Sequence, residues 1–341
     1  MKRFKSLLKY GSLLATGLLL FWLALRNQNQ HKIYEAFKGA RYSYLFISVF
    51  FMILSDISRS MRWTMLIKPL GYRVSTFNSF IAVMIGYLAN LGLPRVGEFT
   101  RCMILKRTDD IPMDRLVGTV FVERALDLLV LLSVVGLTLI LEFNDISHFY
   151  IHVLRPGIAQ MVKPYLDIEP FLVVILGVLV LGLIFFGIHV RYGKTAYVEK
   201  IREILKGVVS GLKTIRLLDR PWLFWGHTAF IWIMYWAMTY IVFFSLDATS
   251  HLDPVAGLSV FAIGSVGFIM PVQGGIGTYH WAVTEGLQIY GVDPSYGFTY
   301  ATLVHGSQLI ATLIIGGLSL LVFFLYRKRK KEKEESLQTD Q

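Results

Sequence analysis

The sequence predicts an all-α polytopic membrane protein: six full transmembrane helices plus two re-entrant hairpins in an inverted-repeat arrangement. Three observations predict it. The 341 residues are 55% hydrophobic and only 17% charged, with a mean hydropathy of +0.55, whereas a soluble domain carries about 25% charged residues. Apolar runs of roughly 20 residues, the length that crosses a bilayer core of about 30 Å, recur along the chain. Basic residues gather in the short connections between those runs, as the positive-inside rule describes. The formal net charge of +11 therefore reports orientation and not nucleic acid. Cys102 is the one cysteine, which excludes intrachain disulfides and cysteine-rich metal sites; no metal or cofactor is expected.

In order, the full spans are 8–25, 43–58, 117–141, 170–190, 221–246 and 297–326, and the hairpins are 77–106 and 254–291. All belong to one domain over 1–326, followed by a basic then polar cytoplasmic tail at 327–341. The N-terminus, "MKRFKSLLKYGSLLATGLLLFWLAL", resembles a signal peptide but lacks an A-x-A-like site, so it is read as an uncleaved first span. Lys2, Arg3, Lys5 and Lys9 place its start in the cytoplasm, and Arg59, Arg62, Lys68 and Arg73 return there after two crossings. The connection at 142–169, with Glu142, Asp145, Asp167 and Glu169 against Arg155 and Lys163, suits the outside. The basic segment at 191–220 suits the inside, as an amphipathic helix lying on anionic lipid. The loop at 26–42, with Arg26, Lys32, Lys38 and Arg41, is the one poor fit to its outside location.

Charge also routes the two interrupted stretches. If 77–93 crossed once, the basic residues at 95–115 and 191–220 would fall on the wrong sides; if it dips in and returns, every later loop falls correctly. Asp247, His251, Asp253 and Asp293 flank 254–291 with no Lys or Arg, so that hairpin enters from outside. Ordinary spans kinked at Gly and Pro are the alternative, and they lack this support. Each hairpin then sits between two spans, in opposite topology. The breaks read alike, "IGYLANLGLPRVGE" against "IGSVGFIMPVQGGIG". Discontinuous helices in inverted repeats are how many transporters build a midplane site.

Irregular backbone at membrane depth must be buried in protein or face water, so the breaks predict a cavity. Pro94 and Gly97 end one half-helix, and Glu98 and Arg101 begin the next at i, i+3 spacing, where they can pair. Gly274, Gly275 and Gly277 in "PVQGGIG" offer consecutive backbone N–H groups beside a helix start, a ready anion site. These groups and Arg95 are expected to converge on one anionic headgroup. In "VERALDLL", Glu123 and Asp127 share a face and Arg124 can reach Asp127. Asp127 lies about 15 Å deep at 1.5 Å per residue. Such charges mark function or a structural pair that locks helices; both readings stay open. Asp56, Arg59 and Arg62 sit toward the inner interface, where snorkelling explains them as well as function does. His280 and His305, with Gln308 one turn on, are packing residues or part of the second break. No P-loop and no H-E-x-x-H is present.

"NLGLPRVGEFTR", "ERALD" and "PVQGGIG", in this order and spacing, resemble the lysylphosphatidylglycerol synthase transmembrane family, also called flippase-like, over about 10–325. Asn90, Pro94, Gly97, Glu98 and Arg101 match its first motif with one residue fewer before the Gly, and Glu123, Arg124 and Asp127 match its second. Where the family commonly has a Glu after G-G-[IL]-G and an Arg in the last long span, this chain has His280 and His305, a pair of a residue type that titrates near neutrality. Family members that make aminoacylated lipids carry a soluble synthase domain after the membrane region, and this chain ends in a short basic tail. The resemblance therefore implies a translocase that moves a phospholipid or polyprenyl-linked lipid between leaflets of a bacterial inner membrane. The charge count already places both termini in the cytoplasm, and anionic lipid headgroups are the expected partners. The rivals are a secondary transporter of a small polar anion and a lipid-phosphate transferase using Glu123, Asp127 or His280.

Overall fold

A computed structural model describes residues 15–26, 28–93, 96–142, 215, 218–269 and 272–339. The expected span at 170–190, the connection at 143–169, most of the segment at 191–220, and Pro94 and Arg95 lie outside these. Among the described residues there are helices and no strands: α1 (Ala15–Arg26), α2 (Gln30–Gly39), α3 (Ser43–Ile67), α4 (Thr76–Gly92), α5 (Gly97–Asp109), α6 (Met113–Leu141), α7 (Pro221–Tyr240), α8 (Pro254–Ile269), α9 (Thr278–Gln288) and α10 (Pro294–Thr339). Four stretches are long and apolar enough to cross a membrane: Ser43–Leu70, Met113–Leu141, Pro221–Ser245 and Pro294–Lys328. The helices overrun the expected spans, since α3 continues to Ile67 and α10 begins at Pro294. The short helix α2 falls where the sequence suggested only a loop.

The ends of these helices follow local chemistry. Proline opens α7, α8 and α10, where its missing N–H has no intrahelical partner to lose. Asp253 and Asp293 precede two of those prolines and accept from Ala256 N (2.8 Å) and Ser295 N (2.9 Å), the capping that first-turn N–H groups require. Leu93 closes α4 in an extended conformation, φ −138° and ψ 121°, as a residue before proline must.

α4 and α5 fold back on each other, as do α8 and α9. Glycine makes both approaches. A Cβ on Gly97 would stand 2.2 Å from the Gly86 carbonyl oxygen, and Gly264, Gly267 and Gly286 seat Tyr279, Ala282 and Ile263. Close backbone contact through small residues is the usual glue between helices in lipid. The two halves pack alike: α3 on α7, α3 on α4 as α7 on α8, α5 on α6 as α9 on α10, and α4 on α10 as α8 on α6. The hairpin tips touch, with Gln273 Nε2 donating to the Gly92 carbonyl (3.2 Å) and Leu91 beside Gly274.

Ion pairs mark the two ends of the bundle. Lys68 meets Asp219 (2.6 Å) where α3 ends and α7 begins. At the opposite end Lys32 meets Asp293 (2.6 Å) and Arg41 meets Asp247. The mutual attraction raises the Lys32 pKa and lowers that of Asp293. A carboxyl held below its ordinary value adds stability above about pH 4 and loses it as pH falls further. Asp293→Ala removes this pair and the α10 cap together. It is expected to lower stability by about 1 kcal/mol and to flatten the acid limb of a thermal-stability profile; an unchanged profile would reject it.

Candidate functional site

The centre of the bundle holds a buried ion network. α3 is apolar, yet one face buries Ser48, Ser55, Asp56, Arg59 and Arg62 at helical spacing. Arg59 pairs with Glu123 and with Asp127 (2.9 Å), and its Nη2 donates to Tyr235 Oη at 2.8 Å. Arg62 reaches Asp127 at 2.8 Å and Thr228 Oγ1 at 3.3 Å. Arg101 from α5 meets Glu123 Oε2 at 3.1 Å and lies 4.6 Å above the Trp63 ring. Arg124 reaches Glu123 at 2.7 Å. Glu123 is fully buried and has all four guanidiniums within salt-bridge distance, which ties α3, α5 and α6 together.

Three local expectations are corrected here. Arg101 pairs with Glu123 and not with Glu98, because α5 packs its inner face on α6; Glu98 Oε2 is left without a hydrogen bond. Asp127 is held chiefly by Arg59 and Arg62, with Arg124 farther off at 3.7 Å. Arg59 and Arg62 do not snorkel, since both are buried at the heart of the network. They were missed as site residues although the signal was present: three charges at i, i+3 and i+6 on one face of an apolar run.

Beside the network lies a cavity of about 620 Å³. Asp56, Arg59, Asn90, Glu98, Arg124 and Asp127 line it. So do Gly274, Gly275, His305 and Gln308, together with Trp232, Tyr235 and Phe261. Residues of both helix breaks therefore reach one cavity. Its wall is not closed: Leu128 and Phe268 line it and remain 51% and 44% exposed. α6 and α10 both line it but are not closely packed on each other among the described residues.

Several of the expected residues also serve the breaks themselves. Asn90 Oδ1 accepts from Gly97 N (2.7 Å), supplying the first N–H of α5 with a partner across the break. Gly277, at φ +84°, abuts the α1 backbone at Gly17 and Phe21. The imidazoles of His280 and His305 lie 5.1 Å apart among Phe21, Phe268, Tyr279 and Phe298, so the structure does bring that pair together. Three of the four N–H groups expected to bind an anion are already engaged. Those of Gly275, Ile276 and Gly277 already bond Val272 O, Gln273 O and His280 Nδ1, because a 3₁₀ turn and a helix start use them.

The architecture defines a class: a multi-pass helical membrane protein with a cavity, lined by charged and apolar side chains, between paired, interrupted helices. Residues 10–316 match the model of the lysylphosphatidylglycerol synthase TM region, and the chain belongs to that family. It is 26% identical over 292 residues to a Haloferax volcanii protein named glycosyltransferase AglD, covering 77% of this chain and 46% of that one. It is 30% identical over 124 residues to UPF0104 membrane protein MJ1595 of Methanocaldococcus jannaschii, covering 34% and 37%. It is 22% identical over 252 residues to MJ1078 of the same organism, covering 72% and 97%. The chain thus spans less than half the length of the first two of these relatives. No solved structure matches.

Proposed function

We propose that this protein is a lipid translocase, moving a phosphate-bearing phospholipid or polyprenyl-linked lipid between leaflets. The observation that carries the proposal is the cavity at the meeting of both breaks, lined by charged side chains and by the half-exposed apolar Leu128 of α6 and Phe268 of α8. A lipid needs a charged pocket for its headgroup and a lateral gap for its chains; a small anion needs only the first. The proposed topology is six crossings with two re-entrant hairpins and both termini cytoplasmic. It is supported by the ion pairs that place Lys32 and Arg41 beside Asp293 and Asp247: two of the four basic residues of the loop at 26–42 have carboxylate partners where they stand. The glycosyltransferase name of the Haloferax relative supplies no reaction for this chain, since more than half of that protein has no counterpart in the match. We propose no enzymatic step.

Arg124 is the arginine best placed for the headgroup. Its side chain is 40% exposed, it lines the cavity, and its Nε has no hydrogen-bond partner. A charge-assisted hydrogen bond contributes about 1.5–3 kcal/mol, so Arg124→Gln is expected to weaken lipid retention about tenfold or more while the protein still inserts. Arg124→Lys should rescue only part, because it loses the forked grip on phosphate. Lipid co-purification by mass spectrometry measures both. Proteoliposomes loaded with labelled lipids in one arm and labelled small anions in the other test the function; movement of solute without lipid would overturn the translocase proposal.

A further inference from the structure

The guanidiniums around the cavity are engaged, and one deeply buried carboxylate is not. Asp56 is 3% exposed and lines the cavity. Among the described residues its carboxylate makes no hydrogen bond and no ion pair, and the nearby cation on its own helix, Arg59, is already held by Glu123, Asp127 and Tyr235. Tyr87 of α4, Glu98 of α5, Arg124 and Asp127 of α6, Tyr235 of α7 and His305 of α10 line the same cavity. Charge around this space is balanced. Arg59, Arg62, Arg101 and Arg124 outnumber Glu123 and Asp127 by two in the paired network, and Asp56 and Glu98 cancel that surplus. An anionic headgroup entering the cavity, even one gripped by Arg124, adds a net negative charge to the space that Asp56 lines, in surroundings that screen it poorly.

We propose that Asp56 is a proton-binding site coupled to the headgroup, so that one proton and one anionic headgroup cross together. This rests on the translocase proposal above. A hydronium on the entry side gives its proton to an Asp56 oxygen, leaving the neutral acid and a water; the headgroup departs on the other side, and the acid returns the proton to water there. No net charge moves with a singly anionic lipid. Glu98 is the weaker candidate because it is only partly buried, at the edge of the first break. Ionisable groups inside membrane proteins are recurrently proton relays, and here the charge balance ties uptake to the ligand.

The test uses the full-length protein in phosphatidylcholine vesicles with a trace of headgroup-labelled phosphatidylglycerol. A gradient of one pH unit is expected to enrich the label about tenfold in the leaflet facing the alkaline side, since one proton per lipid converts a pH unit into a factor of ten. A protonophore combined with an ion exchanger should abolish the enrichment. In Asp56→Asn, whatever movement remains should be the same with and without the gradient. In detergent, adding short-chain phosphatidylglycerol to weakly buffered wild-type protein should take up about one proton per chain by indicator dye, and this measurement stands even if Asp56→Asn does not fold. Lipid movement in the wild type that ignores the pH gradient, or enrichment that persists in Asp56→Asn, overturns the proposal. So does binding without proton uptake, or a sodium gradient that substitutes at equal pH. No movement of labelled lipid under any condition instead brings down the translocase proposal itself.

Discussion

Replacing Glu123 with alanine is expected to remove most folded protein from detergent extracts. Glu123 is fully buried and is the common partner of Arg59, Arg62, Arg101 and Arg124. Without it, Asp127 alone faces Arg59, Arg62 and Arg124, and Arg101 has no carboxylate. Breaking a buried pair by deleting one partner costs about 3–5 kcal/mol, because the stranded charge stays desolvated. Total stability is commonly about 5–15 kcal/mol, so that loss takes roughly a fifth of it or more. Arg101 suffers most: its remaining neighbour is the Trp63 ring, and its Nε and Nη2 already lack hydrogen bonds. Glu123→Gln keeps an acceptor oxygen and should fall between alanine and wild type. Thermal unfolding of purified protein, followed by tryptophan fluorescence, gives the order. A wild-type transition in Glu123→Ala would mean the network does not hold α3, α5 and α6 together.

The second large effect is expected at Gly97, where even alanine should be disruptive. An added Cβ would stand 2.2 Å from the Gly86 carbonyl oxygen and 2.7 Å from the Asn90 amide. Neither neighbour yields cheaply. The first is helix backbone, and the second caps α5 through the Gly97 N–H. α5 must move away from α4, and Arg101, one turn on, moves off Glu123 with it. Overpacking typically costs about 1–3 kcal/mol, and the lost ion pair adds to that. Gly118→Ala on α6 is the control, since a Cβ there meets nothing within 4 Å and alanine favours a helix interior by up to about 1 kcal/mol. Equal stability of the two variants would show that the first hairpin tolerates separation and that its close packing is incidental.

Gly275 illustrates why substitutions at the second break report on structure before ligand. Its φ is +72°, and a Cβ would press within 2.5 Å of the Phe268 ring. The glycines there serve the turn, and their sequence pattern looked like an anion cradle only because spacing does not show which N–H groups the turn itself consumes.

The sequence by itself determined much of this protein. Hydropathy and the Gly/Pro breaks placed two hairpins among long helices, because apolar run length and missing helix donors act locally. The motifs carried Asn90, Glu98, Arg124, Asp127, Gly274, Gly275 and His305 to one cavity, and His280 to His305. Partner choice was decided only by tertiary structure. Within one helix, Glu98 and Arg101 are natural partners at i, i+3, and so are Arg124 and Asp127. In the fold, α5 and α3 turn Arg101, Arg59 and Arg62 onto Glu123 and Asp127. Several desolvated guanidiniums crowding two carboxylates outweigh any exposed intrahelical pair. Among the described residues the same geometry leaves the Asp56 carboxylate without a partner, a fact no spacing encodes. Periodicity shows which face a charge is on, but only the packing of the other helices decides what that face meets.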